Sequence, residues 1–260
     1  MKKLLMLIAI ILLGNSVVAQ EKLYLIFEFM KVDNEQEQAY METETFWEKI
    51  QEQRTKNGDI IGWDLWSLQP GGEAQGFQYL TVTLYNNPVK MMSGAGNFES
   101  ALKAAYPKMT QAELDKKLIS TSKSRDLAHR IYLEQIAATK DNFQMPLGTI
   151  AGINLMKVTD GNYDKYEKFE TEIFQPMAQK EVDAGARGNW GLMRYMLPTG
   201  SDVYATHITA DMYKDYNQLF NGGSVNGPEL TEAQIKKIQE GLTTRDMKYK
   251  YMATLVKKVR

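Results

Sequence analysis

The stretch LYLIFEFMKV, residues 23–32, decides the fold, because its closing Met30-Lys31-Val32 returns as Met156-Lys157-Val158 at the end of AGINLMKV, residues 151–158. A repeat at this distance sets the architecture and is read before any local feature. Tyr40 and Tyr166 keep the same separation of 126 residues. Trp63-Asp64-Leu65 returns as Trp190-Gly191-Leu192, Pro70-Gly71 as Pro198-Thr199-Gly200, and Tyr79-Leu80-Thr81 as Tyr204-Ala205-Thr206. Thr110-Gln111-Ala112 matches Thr231-Glu232-Ala233, and Arg125-Asp126-Leu127 matches Arg245-Asp246-Met247. Each match is weak alone. Their shared order, with a separation drifting only between 120 and 128, carries the inference of two copies.

Local patterns agree with a repeat. Residues 23–32 are apolar and aromatic and read as a buried strand. Tyr40, Thr43, Trp47 and Ile50 then fall at helical spacing up to Asn57-Gly58, and Tyr163, Tyr166, Phe169, Ile173 and Met177 do the same before Gly185. Pro176 inside the second stripe predicts a kink or an early break. Residues 60–68 and 77–85 read as a strand pair around a Gly-containing loop, with partners at 189–197 and 202–209. Thr110-Gln111-Ala112-Glu113 and Thr231-Glu232-Ala233-Gln234 each fit a capping box. Last strands are expected at 126–136 and 246–256. The loops Gly94-Ala95-Gly96-Asn97 and Asn221-Gly222-Gly223-Ser224 stand at matching places.

Each copy therefore reads strand-helix-strand-strand-helix-strand, a ferredoxin-like unit whose sheet has helices on one face only. The bare face needs cover, and two copies in one chain supply it. The expected fold class is α+β: two tandem ferredoxin-like βαββαβ repeats whose sheets face each other as an intramolecular α/β barrel. The expected boundaries are a signal peptide at 1–19, a first repeat at 20–137, a linker at 138–148 and a second repeat at 149–260. This order resembles the dimeric α/β-barrel superfamily in its fused form. That superfamily includes antibiotic-biosynthesis-type and haem-degrading monooxygenases and chlorite dismutase-like proteins. No family-specific catalytic motif accompanies the resemblance, so it assigns no residue a role.

Composition excludes several chemistries. The chain has no cysteine, which removes disulfides, thiol nucleophiles and thiolate-held metals. Two histidines, His129 and His207, are too few for a histidine-rich metal site, and no metal site is expected. A formal net charge of -1 argues against a nucleic-acid partner. At the N-terminus Lys2-Lys3 precedes the apolar run of residues 4–13, which is short for a bilayer span, and Val17-Val18-Ala19 offers a cleavage site. An exported chain is expected, periplasmic or secreted, with no membrane attachment after cleavage, as a monomer or a further homodimer.

Strand parity supplies the candidate cavity residues. Leu23, Leu25, Phe27 and Phe29 are expected toward the helices, and Ile26, Glu28 and Met30 toward a shared cavity. Glu28 and Asn154 become equivalent polar positions within apolar strands, where a carboxylate is either a general base or half of an ion pair. On the third strand Leu80, Val82 and Leu84 are expected toward the helices and Tyr79, Thr81 and Thr83 toward the cavity. Asp64 and Trp66 share a parity, and Arg194 could hold an anion or a salt bridge. His129 sits among apolar neighbours. His207, matched to Val82, is placed on the helix side, and either imidazole could serve as a ligand or as a structural group. No Gly-x-Ser-x-Gly elbow or phosphate loop is present. Three functions fit: an exported protein binding a small apolar or aromatic ligand between the repeats; a monooxygenase-like enzyme, cofactor-independent or haem-dependent; and a non-enzymatic envelope interaction protein. Composition by itself predicts no cofactor, and haem enters only through the resemblance.

Overall fold

A computed structural model describes residues 22–94, 96–221 and 231–260. The expected signal peptide, Ala95 and the expected loop at 222–224 lie outside the described residues. Eight strands close into one antiparallel barrel: β1 (Tyr24–Lys31), β2 (Gly62–Gln69), β3 (Tyr79–Tyr85), β4 (Asp126–Ala138), β5 (Ile150–Val158), β6 (Asn189–Leu197), β7 (His207–Tyr213) and β8 (Arg245–Val259). The order around it is β1-β3-β2-β8-β5-β7-β6-β4. The first half thus runs β4-β1-β3-β2 and the second β8-β5-β7-β6. The seams are β2 with β8 and β4 with β6. β4 and β8 are the longest strands because each must pair within its own half and across a seam. The β1–β4 ladder shifts register between Phe29 and Met30, and the β5–β8 ladder shifts between Leu155 and Met156, the equivalent place.

Helices cover the outside. In the first half these are α1 (Glu37–Lys56), α2 (Pro88–Ser93), α3 (Phe98–Ala105) and α4 (Gln111–Thr121). In the second they are α5 (Tyr163–Phe169), α6 (Gln175–Asp183), α7 (Tyr216–Asn221) and α8 (Glu232–Leu242). Both capping boxes form: Thr110 with Glu113 opens α4, and Thr231 with Gln234 opens α8. Between α5 and α6 lies a single π turn, Glu170–Phe174, with Pro176 in the first turn after it. The break expected at Pro176 therefore comes one turn early, where the wider turn interrupts the α-helical ladder. Three helices, rather than one, fill the space between β3 and β4. Among the described residues no helix is long and apolar enough to cross a membrane.

The barrel reverses the expected parity. Leu25, Phe27, Phe29, Leu80 and Val82 belong to one buried cluster with Ala151, Ile153, Leu155, Ile208 and Ala210, drawn from strands of both halves. They point inward, not toward the helices. Met30, Trp63, Leu65, Tyr79 and Tyr85 pack instead with Tyr40 and Met91 of the helix layer, and Met156, Val158, Trp190 and Leu192 with Tyr166 and Phe169. A strand with both faces covered is apolar on both, so alternation cannot name the inner face.

A second correction concerns β7. Met30 pairs with Tyr79 and Met156 with His207, so Tyr79 is equivalent to His207 and not to Tyr204. β7 starts later than expected because residues 198–206 form an irregular loop that leaves Tyr204 56% exposed.

Candidate functional site

A cavity of about 650 Å³ lies between α1 and the outer face of the first-half sheet. Glu28 of β1 stands on its wall, not inside the barrel, because the parity is reversed. The register sets Glu28 opposite Arg130 of β4. The Arg130 Nη2 atom lies 2.6 Å from Glu28 Oε1, Arg130 Nε donates to the same oxygen at 2.8 Å, and Thr81 Oγ1 donates to Oε2 at 3.4 Å. Glu28 is therefore a structural acid, held by a cross-strand pair.

A second acid, Glu44 of α1, lies on the same wall. It is only 1% exposed and forms an ion pair with Arg125, at the start of β4. One carboxylate oxygen accepts from Arg125, and the other, Oε2, has no hydrogen-bond partner among the described residues. Burial pushes the Glu44 acid up to about 7, outweighing the Arg125 charge that opposes it. Trp47, one position short of a full turn on, lines the same cavity with an indole N–H that also lacks a partner. The Arg125 guanidinium lies 5.7 Å from the Trp47 ring centroid and the Phe98 ring 5.7 Å from it on another side. Trp63, Tyr85 and Tyr132 add aromatic wall, and Gln51, Arg54, Thr121 and Ser122 add polar groups. The site thus offers an unpartnered acceptor and an unpartnered donor in a pocket of mixed aromatic and polar walls.

Sequence reasoning missed Glu44, although a signal for it was present. Tyr40-x-x-x-Glu44 recurs as Tyr166-x-x-x-Glu170, and Arg125 recurs as Arg245. One helical turn brings Tyr and Glu to one face, and an Arg stands at the start of the last strand of each half, just before β4 as Arg125 and first in β8 as Arg245. In the second half burial also pushes Glu170 up to about 7, opposed by the nearby Tyr166 hydroxyl and the Arg245 charge. The surroundings differ. Ile173 replaces Trp47, Asn154 replaces Glu28 and Lys250 replaces Arg130.

The remaining candidates are dispersed. Asn154 faces the second helix layer, where Nδ2 donates to Thr209 Oγ1 and to Asp211 Oδ2, each at 3.1 Å. Tyr79 packs on Tyr40 with ring centroids 4.6 Å apart, on the helix side rather than toward the barrel interior. Arg194 is committed to Glu134 and Glu167, at 2.5 and 2.9 Å. His207 is fully buried on the helix side, with Nε2 3.1 Å from Glu167 and Nδ1 3.0 Å from Thr206 Oγ1. Burial holds its imidazole below the usual value, against the Glu167 hydrogen bond. His129 is exposed at one barrel end, edge-on to Phe29 and Phe77. Asp64 and Trp66 point into the barrel, where Arg260 holds Asp64 at 2.8 and 3.0 Å.

The Glu44 cavity offers no histidine to a haem. His207 has both ring nitrogens engaged, and His129 has no hydrogen-bond partner among the described residues to orient it as an axial ligand. Neither lines the Glu44 cavity. Among the described residues no group of three or more His, Asp or Glu side chains could hold a metal ion.

No family model and no curated protein matches the sequence. Solved structures do match the fold. One from Fusobacterium nucleatum subsp. nucleatum ATCC 25586, described as a "putative monooxygenase", is similar over 94% of this chain and 96% of its own, at a TM-score of 0.55 and 12% identity. Another so described, from Lactobacillus acidophilus NCFM, is similar over 92% of this chain and 96% of its own, at 0.51 and 10%. At these identities the likeness is one of fold alone, and it spans more than nine tenths of each chain.

Proposed function

We propose that the cavity beside α1 binds a small aromatic molecule with an acidic C–H or O–H group, and that Glu44 removes that proton in a cofactor-independent, monooxygenase-like oxidation. The observation that carries this reading is the unpartnered Oε2 of Glu44 on an aromatic wall, in a carboxyl group that titrates near 7. Arg125 stabilises the carboxylate before transfer, and the Trp47 N–H is placed to donate to an oxygen of the resulting anion. The substrate anion supplies the electrons to dioxygen. A methylene becomes a carbonyl, one oxygen atom enters the product and the other leaves as water, so no external reductant is needed. The fold likeness is consistent with this reading but does not carry it.

The test is oxygen uptake with a panel of phenols and enolisable polycyclic ketones. Glu44→Gln is expected to lower the rate by about 100-fold or more while the protein stays folded. The wild-type rate should rise with pH through about 7. An unchanged rate in Glu44→Gln would sink the proposal. So would a Soret shift with added haem that disappears in His129→Ala.

A second reading is ligand binding without turnover, favoured by the recurrence of the Tyr–Glu–Arg set in the half that lacks Trp47. We further infer that the halves are duplicated ferredoxin-like repeats. Matching strand orders, matching register shifts and matching capping boxes support this. Residues 1–19 are read as an export signal, so the mature protein is expected to begin at Gln20. Intact-mass measurement of the protein released from the cell envelope checks this, and a retained Met1 would refute it.

A further inference from the structure

A second cavity, of about 590 Å³, lies inside the barrel at the end where β4 and β8 finish and β6 begins. It exists because the two halves contribute unequal residues at equivalent places. Leu25 is matched by Ala151, Val82 by Ala210 and Asp64 by Gly191, so bulky side chains on one wall face small ones on the other. The body of the cavity is apolar, with Phe27, Trp66, Leu80, Ile153 and Met193 among its walls. Its volume falls in the range of drug-sized ligand sites.

The loop at 139–149 crosses the mouth. Phe143 and Met145 line the cavity from that loop. Lys258 Nζ donates to the carbonyls of Gln144 and Met145, at 2.7 and 2.9 Å, and so ties the loop down. Phe143 lies over Gly188, where an added Cβ would stand 2.8 Å from the ring. The acids at the mouth are occupied. Asp64 accepts from Arg260 through both oxygens, and Asp141 accepts from the Phe143 N–H at 2.9 Å and from Asn189 at 2.5 Å. The Lys140 ammonium, also on the cavity wall, has no ion-pair or hydrogen-bond partner among the described residues.

From this arrangement we infer that the barrel interior is a separate binding site for an amphiphile with an apolar body and an anionic end. The body lies against Trp66, Ala151 and Ala210, and the anion meets Lys140 and Arg260 beneath the loop at 139–149. This site shares no lining residue with the Glu44 cavity, so the two readings stand or fall separately.

Trp66 provides the readout, because Trp47, Trp63 and Trp190 do not line this cavity. Adding 12-bromododecanoate to the full chain should quench tryptophan fluorescence saturably. Ala210→Phe, which fills the cavity, should weaken that quenching at least tenfold, with folding verified by circular dichroism and thermal midpoint. Ala151→Leu serves if Ala210→Phe fails to fold. Trp66→Phe should remove the saturable component. Bromododecanol and the Lys140→Ala variant should both show weaker binding. Absent quenching overturns the site, and quenching that survives both Trp66→Phe and the filling variant overturns it in favour of the Trp47 cavity. Equal affinity for the alcohol overturns the anionic end.

Discussion

Lowering the pH from 8 to 5 is expected to stabilise this protein, by an amount on the order of a few kcal/mol. The cause is the pair of buried acids Glu44 and Glu170, each pushed up to about 7 from an unfolded value near 4.5. Between those values the folded protein keeps a proton that the unfolded chain releases, so stability is lost as pH rises from 4.5 to 7 and is level above it. A displacement of this size corresponds to about 3 kcal/mol for each acid. His207 acts in the opposite direction. Its imidazole is depressed, so the unfolded chain gains a proton first as pH falls below about 6.5, which removes part of the gain. Asp64, raised by burial against Arg260, adds to the gain, and Glu134, lowered by Lys22 and Arg194 despite its burial, subtracts at the acid end. Urea midpoints at pH 8, 6.5 and 5 measure the net effect. The double variant Glu44→Gln, Glu170→Gln should be more stable than wild type at pH 8 and have a flatter profile. A wild-type stability that climbs from pH 5 to 8, or a double variant that keeps the full slope, would contradict the assignment. The result also bears on function. An acid whose ionisation weakens the fold at neutral pH does not serve stability there, and Glu44 alone of the two stands in a described cavity with a free oxygen.

The architecture was legible where the pattern did not depend on which face is covered. Two capping boxes, two Met-Lys-Val endings and two Arg-Asp starts are local or collinear features, and all fall at equivalent places in the barrel. Facing was not legible, because β1 buries Phe27 and Phe29 in the barrel and Met30 under α1. Glu28 is the one charged residue in the interior of that strand, and its parity predicts a place on the shared cavity. Glu28 instead lines the cavity on the helix side, so the residue marks a cavity wall but on the opposite face. The match of Tyr204 to Tyr79 failed for another reason. A match of two residues in three points away from the strand geometry, and the loop at 198–206 absorbs the difference. Glu44 stayed hidden because a glutamate on a helix usually faces solvent. Only its fixed distance from Tyr40, repeated at Glu170 and Tyr166, marks it as buried.

Residues 20–137 and 149–260, produced separately, are each expected to be insoluble or to self-associate, and to recover a monodisperse one-to-one complex when refolded together. Each half alone would bare the inner face of its sheet. For the first half that face carries Leu25, Phe27, Phe29, Trp66, Leu80 and Val82, and for the second Ile153, Leu155, Met193, Ile208 and Tyr251. Contiguous apolar area of this kind is not tolerated on a soluble monomer. The separation would also leave four open strand edges, since β2–β8 and β4–β6 are the only ladders between the halves among the described residues. The helix layers do not compensate, because they cover the opposite face of each sheet. Self-pairing of one half is the natural escape, since its own β2 and β4 can meet the β4 and β2 of a second copy, as the two seams do within the chain. Size-exclusion chromatography with light scattering separates the outcomes. A dimer or larger species of either half agrees with a barrel closed by duplication. Two halves that behave as stable monomers would mean that the shared interior contributes little to folding, and the inward cluster could then no longer be regarded as the core of the molecule.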